Sequence, residues 1–383
     1  MKTLQIYIDD QNKAAEKLKE LAQFKPDVTL SFGAASYFAN DFMKNLSKEK
    51  IGGLLVGCST AGEISDRGIS DNSLIVTGLK FEEADTRVRG VSVQIENMDH
   101  SFDAGVNLGK KIDLTGLQTL LVLGRGLDIN GSAVLDGLRS VVGPKVTITG
   151  GLAGDGGAFK KTFTVFDGTV SDSSICAIAF YGKKIHSTFG SFGGWEPFGP
   201  IRKVTKSKNN IMYQLDGEPA LGIYKKYLGD LAAKLPASGL MYPFALLKDN
   251  HDTSGIIRTI LAVDEKEGSL TFAGDIPVDG LVRLMHSKNE GLVNGAKVAA
   301  SKAFESAISK KDGLGILISC VGRKLVMGDD TDDEIDAVKQ VFGKNRITGF
   351  YSYGEICPAG GFSECKLHNQ TMTITFIGEG DPN

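Results

Sequence analysis

The sequence predicts a two-lobed α/β protein with mixed sheets, built around an internally repeated β-α-β-turn unit. Three observations carry that expectation. Short apolar runs of strand type alternate with stretches of helical periodicity. A strand–helix–strand stretch ending in a glycine-rich turn recurs along the chain. Glycine is abundant, 48 of 383 residues against 10 prolines, with no collagen period, which points to tight turns and close backbone approaches.

The elements follow in order. Leu4 to Ile8 is a short apolar strand, and Asn12 to Phe24 is a helix with Ala14, Ala15, Leu18, Leu21 and Ala22 at helical spacing. Val28 to Gly33 reads as a buried strand, Ala34 to Leu46 as a second amphipathic helix, and the run from Gly53 as a strand entering a turn. Ser73 to Ile95 holds two alternating stretches that look like antiparallel strands, so the sheets are expected to be mixed. Between Tyr181 and Arg202 the chain is dense in glycine and aromatics and carries its only tryptophan, Trp195. A boundary there divides the chain into lobes 1–190 and 191–383. Beyond it a strand pair precedes a helix starting near Pro219, and the chain closes on an alternating strand.

The repeat runs from Val28 to Glu63, from Leu120 to Asp155 and from Ile316 to Glu355. Each stretch reads strand, helix, strand, glycine turn, acid. The second and third share Gly-Arg after the strand, at Gly124-Arg125 and Gly322-Arg323. The first and third turns, Gly57–Ile64 and Gly349–Ile356, agree at a glycine, a hydroxyl residue, a second glycine, a glutamate and an isoleucine. Repetition of that pattern implies repetition of a backbone conformation.

Composition excludes several classes. With 43 Lys+Arg against 46 Asp+Glu the formal charge is −3, which is not that of a nucleic-acid binder. No run approaches the roughly 18 apolar residues of a membrane span. The first residues lack the apolar stretch of a secretion signal, so a cytoplasmic protein is expected. Five widely spaced cysteines suit reduced thiols better than a disulfide framework.

The repeated turns are the expected recognition site. Placed around one cleft, Cys58, Ser59 and Thr60 of the first turn would face Tyr351, Ser352 and Tyr353 of the third. Glu63, Asp155 and Glu355 supply carboxylates for an ammonium or guanidinium group, and Arg125 or Arg323 a cation for a carboxylate. An amino acid carries both charges and suits such a site. The competing reading is that the three acids satisfy backbone N–H groups in their own turns. Catalysis is not expected: Cys58 has no assignable histidine, and no G-x-S-x-G elbow is present. Cys357, Cys365 and His368 lack the paired short spacing of structural zinc sites.

In this order GCSTAGEI, GGLAGDGGAF, the stretch from Gly194 to Gly229, CVGRKLVMG, GFYSYGEICP and LHNQTMTI resemble the FIST domain family, from about Val28 to Ile377. That resemblance implies a sensory, small-ligand-binding protein of signal transduction, with amino acids as proposed ligands. No recognisable kinase or cyclase follows Ile377, so a free-standing sensor is expected, whose signal would pass to a separate partner such as a histidine kinase or cyclase. One free-standing branch of the family is described as binding haem and reporting nitric oxide to a histidine kinase. On that alternative a haem needs an axial ligand over an apolar wall, and His186, near Phe189, Phe192 and Trp195, is the candidate.

Overall fold

A computed structural model describes residues 1–46, 51–252, 256–310, 312–358 and 365–381. The protein is α/β with mixed sheets, 29% helix and 41% strand, as the sequence predicts. Three six-stranded sheets share one pairing pattern. The first runs Lys2–Ile8, Leu74–Lys80, Val28–Gly33, Leu54–Ser59, Thr164–Phe166, Thr169–Ser171. The second runs Arg87–Gln94, Ser174–Tyr181, Leu117–Gly124, Thr147–Leu152, Gly354–Pro358, Cys365–His368. The third runs Ile185–Phe192, Met372–Glu379, Leu314–Cys320, Arg346–Ser352, Glu63–Ser65, Gly68–Ser70. In each, among the described residues, the central pair is parallel and the outer pairs are antiparallel.

The repeat is therefore larger than its sequence signature. Each unit begins one strand and one helix earlier and ends one strand later, and before its last strand it makes a short hairpin. That hairpin leaves home. Glu63–Ser70 pairs with strand Arg346–Ser352 of the third unit, Thr164–Ser171 with Leu54–Ser59 of the first, and Gly354–His368 with Thr147–Leu152 of the second. The three units are thus linked in a cycle. The stretches Leu74–Lys80 and Arg87–Gln94 are both strands, but they are not each other's partners; they lie in the first and second sheets. Each finds its neighbours within its own unit, so the chain passes from one unit to the next between them.

The parallel strands are buried on both faces, which is why they read as continuous apolar runs. Leu121 and Leu123 face Phe32, Cys58, Ile318 and Phe350 in a core shared by all three sheets, while Leu120 and Val122 face helices Ser101–Lys110 and Gly131–Val142. Equivalent outer layers are built by Ala14–Phe24 on the first sheet and by Asn289–Glu305 with Thr331–Phe342 on the third. The expected helix over 34–46 is two short ones, Ala35–Ala39 and Phe42–Asn45, separated at the extended Asn40.

A fourth, antiparallel sheet occupies residues 196–286 with helix Ala220–Leu228 packed on it through Leu221 and Tyr224. It is inserted between the first strand and first helix of the third unit. Position 190/191 falls within strand Ile185–Phe192, which pairs along its length with Met372–Glu379. Hairpin exchange carries strand pairing across that point in both directions, so the two stretches 1–190 and 191–383 share sheets.

Candidate functional site

The second central strand of each unit passes its partner at a glycine. A Cβ on Gly57, Gly150 or Gly349 would sit 1.9, 1.9 or 1.8 Å from the carbonyl oxygen of Ser31, Val122 or Leu317. Only glycine allows that approach, and it fixes the register of the turn that follows. Counting from these glycines, Glu63 and Glu355 are each six residues on, whereas Asp155 is five.

The three turns meet. Gly154 N donates to Ser59 O (2.9 Å) and Gly156 N to Thr60 O (3.0 Å); Ala61 N donates to Tyr351 O and Tyr351 N to Gly62 O (both 2.8 Å); Tyr353 N donates to Leu152 O (3.1 Å). First touches second, first touches third, and second touches third. The repeated bends thus form one hydrogen-bonded ring.

Two of the three acids behave alike. Thr60 Oγ1 donates to Glu63 Oε1 (2.5 Å) and Ser352 Oγ to Glu355 Oε1 (2.8 Å). The second oxygen of Glu63 accepts from Ser73 N and Oγ, and that of Glu355 from Thr371 N. Burial pushes Glu63 up to about 7 and Glu355 to about 8, against the hydrogen bonds that favour ionisation. Asp155 differs. Burial would raise it, but the Tyr353 hydroxyl and the N–H groups of Lys161, Lys160 and Phe159 together hold it below the usual range. It is half-buried, and the Phe159 ring stacks on Tyr353 at 4.3 Å with an exposed outer face.

Of the remaining expected site residues, Ser59 belongs to the ring and the others are dispersed. Ser59 closes the ring, donating to Gly154 O (2.7 Å) and accepting from Phe163 N. Cys58 lies in the shared core, where burial raises its thiol well above its ordinary value. Arg323 is fully buried away from solvent: its Nε donates to Glu334 Oε2 (2.9 Å), and its other nitrogens to Gly193 O and Leu292 O. Arg125 is half-buried beside Ile95 O and Asp128. The shared Gly-Arg motif is not structurally equivalent, since Arg125 lies three residues beyond Val122 and Arg323 six beyond Leu317. Trp195 donates to Gln370 O (2.7 Å) and packs on Ala245 and Met285 of the fourth sheet. It reaches the ring only through the neighbour of Gln370, Thr371, which binds Glu355.

His186 has both ring nitrogens against backbone groups, Lys184 O and Ser309 N, and lies at the end of strand Ile185–Phe192 opposite to Phe192. Cys357 and His368 face one side of their hairpin and Cys365 the other, because Cys365 pairs with Pro358. His368 is bonded to Cys357 O, and burial lowers it to about 4. Among the described residues no group of three His, Cys, Asp or Glu could hold a metal. No helix of the described residues is long and apolar enough to cross a membrane.

Sequence reasoning missed two partners of the ring. Glu334 is fully buried and accepts from Arg323, Ser319 Oγ and Tyr351 Oη (both hydroxyls at 2.9 Å). Its helical spacing with Ala337 and Val338, both buried, was the available signal. Lys324 caps the first turn by donating to Ala61 O (3.1 Å) while paired with Asp71.

A FIST N domain matches residues 27–218 and a FIST C domain residues 220–358. An uncharacterised protein of Mycobacterium tuberculosis is 22% identical over 376 residues, covering 95% of this chain and 94% of its own. One of Methanocaldococcus jannaschii is 24% identical over 343 residues, covering 79% of this chain and 64% of its own. Among solved structures, the cyanuric acid hydrolase from A. caulinodans aligns over 99% of both chains, with 7% identity and a TM-score of 0.41. FIST domains are recognised as sensory domains that bind small ligands in signal transduction. The chain belongs to the FIST family, an N domain followed directly by a C domain.

Proposed function

We propose that the protein binds an amino acid or similar small metabolite at the outer face of the ring and passes the event to a separate signalling partner, without catalysing a reaction. The observation that carries this reading is the ring itself, in which turns from three units are hydrogen-bonded to one another. Whatever moves one turn loads the other two. The outer face is formed by Tyr353 and Asp155, covered by the segment 156–161 with its exposed Phe159. The Asp155 carboxylate holds that segment through three backbone N–H groups. An arriving ammonium group competes for the same oxygens, frees the segment and leaves the Tyr353 hydroxyl to a ligand carboxylate. The shift in population reaches the exchanged hairpins, and a histidine kinase or cyclase reads it.

A binding role rather than catalysis is supported by the nucleophile candidates: the Ser59 and Ser352 hydroxyls are both engaged in the ring, and the Cys58 thiol is held neutral by burial. The haem alternative has no comparable support, since both His186 nitrogens are already against backbone groups.

Thermal unfolding across a panel of amino acids at millimolar concentration tests the reading. A binder of the folded state raises the melting temperature by an amount that grows with the logarithm of its concentration above Kd, and Asp155→Asn abolishes that rise while retaining a cooperative transition of its own. Failure of every amino acid to stabilise the protein overturns it.

A further inference from the structure

A second concave site lies on the edge of the second sheet, away from the ring. Among the described residues, strand Arg87–Gln94 is the edge strand there, pairing only with Ser174–Tyr181. The register sets Arg87 opposite Tyr181 and Arg89 opposite Ala179, so all four side chains project from the same face. Ala179 is too small to fill the space beneath Arg89. A cavity of about 270 Å³ results, closed on its far side by Lys111 and Asp113, which follow helix Ser101–Lys110.

Three features of the lining point to an anion. Arg89 makes no hydrogen bond or ion pair among the described residues, and Arg87 lies over the Tyr181 ring at 5.6 Å, near enough to Asp113 to help hold its carboxyl below the ordinary value. Tyr181 is 2% exposed and lines the cavity, yet its hydroxyl has no hydrogen-bond partner among the described residues. The ring is packed away while the hydroxyl itself stays open to the hollow, where a ligand can reach it. The lining carries Arg87, Arg89 and Lys111 against Asp113 alone, in a chain whose overall balance is −3. Lys111 already donates to Ser92 O (2.8 Å), which leaves it donors to spare, since an ammonium has three.

We infer that this cavity binds the phosphoryl group of a small phosphate monoester. The donors come from three directions, two guanidinium forks on the strand, an ammonium from the helix end and a hydroxyl from the floor. That arrangement suits the tetrahedral oxygens of a phosphate better than a planar carboxylate. The two excess positive charges match a dianion. The volume exceeds that of phosphate alone and accommodates a short organic tail against Val91 and Ala179. Arginines on an edge strand also discourage pairing with other strands, but that role does not call for a hollow beneath them.

Calorimetric titration of the full chain with inorganic phosphate, glycerol 3-phosphate and malate, in 0.15 M chloride to screen diffuse attraction, tests the assignment. Saturable binding of both phosphates, tighter for the ester and absent for malate, is expected. Arg89→Ala and Tyr181→Phe each weaken it by about tenfold or more, the range of a hydrogen bond to a charged group. Arg89 is exposed, so its variant retains the fold. No saturable phosphate binding, equal binding of malate, or undiminished affinity in Arg89→Ala overturns the inference. None of these outcomes bears on the ring, whose test uses amino acids and Asp155.

Discussion

The Tyr351 hydroxyl donates to Glu334 Oε1 at 2.9 Å, tying the third turn of the ring to the helix Thr331–Phe342 that packs behind it. Both residues are fully buried, and the same carboxylate holds the buried guanidinium of Arg323. One bond therefore joins the ring to an ion pair that no solvent reaches.

Removing the carboxylate strands a charge. Glu334→Gln leaves Arg323 buried without its counter-ion, and the expected loss is about 3–5 kcal/mol of unfolding free energy. Tyr351→Phe removes one hydrogen bond and leaves Arg323 paired, for a loss of about 1–3 kcal/mol. Urea denaturation of the two variants should rank them in that order.

The two matched glutamates give the protein a stability that falls as the pH rises. Their folded values, about 7 for Glu63 and about 8 for Glu355, lie above the ordinary 4.5. Between those limits the folded state holds more protons than the unfolded one, so each group costs on the order of 1.4 kcal/mol per pH unit as it is forced to ionise. Glu63→Gln and Glu355→Gln mimic the protonated forms and should each flatten the decline of stability between pH 5 and 8. An unchanged slope in both variants contradicts this account.

Asp155 works in the opposite sense. Its folded value lies below the ordinary 3.8, so its contribution is present above that value and is lost as the pH falls through the folded one. Asp155→Asn should therefore loosen 159–161 at neutral pH, visible as faster hydrogen exchange at those amides, with little change in the strand cores.

The close passages at Gly57, Gly150 and Gly349 admit no side chain. Alanine at any of the three must separate the central parallel strand pair of its sheet, and a loss exceeding about 3 kcal/mol is expected, within the range of overpacking and backbone strain combined. Alanine at Gly143, where nothing lies within 4 Å, tests only its positive φ and serves as the comparison. Similar melting temperatures for the Gly57 and Gly143 variants would contradict the steric account.

Much of this architecture is legible in the residues. Strands buried on both faces, such as Leu117–Gly124, announce themselves as apolar runs, and the shared turn pattern revealed the repeat. The outer strands of each unit were not assigned to it, because Lys2–Ile8 and Leu74–Lys80 carry no mark of which sheet they join. The exchanged hairpin Glu63–Ser70 hides in what reads as a turn, since strands of three residues such as Glu63–Ser65 are too short to show alternation. Equal spacing suggested that Asp155 matches Glu63, yet its offset from Gly150 is one residue short, and it binds a neighbouring segment instead. That the Glu334 side chain turns inward depends on Arg323 and Tyr351 arriving from elsewhere in the fold.

The cyclic exchange also dictates when the chain can finish folding during synthesis. Hairpin Glu63–Ser70 emerges early, but its partner strand Arg346–Ser352 follows about 280 residues later. At roughly 5–20 residues per second that is a wait of tens of seconds. For all that time the nascent first unit exposes a sticky, half-finished ribbon to the ribosome surface and to chaperones. Only once strand Arg346–Ser352 has emerged does that link close.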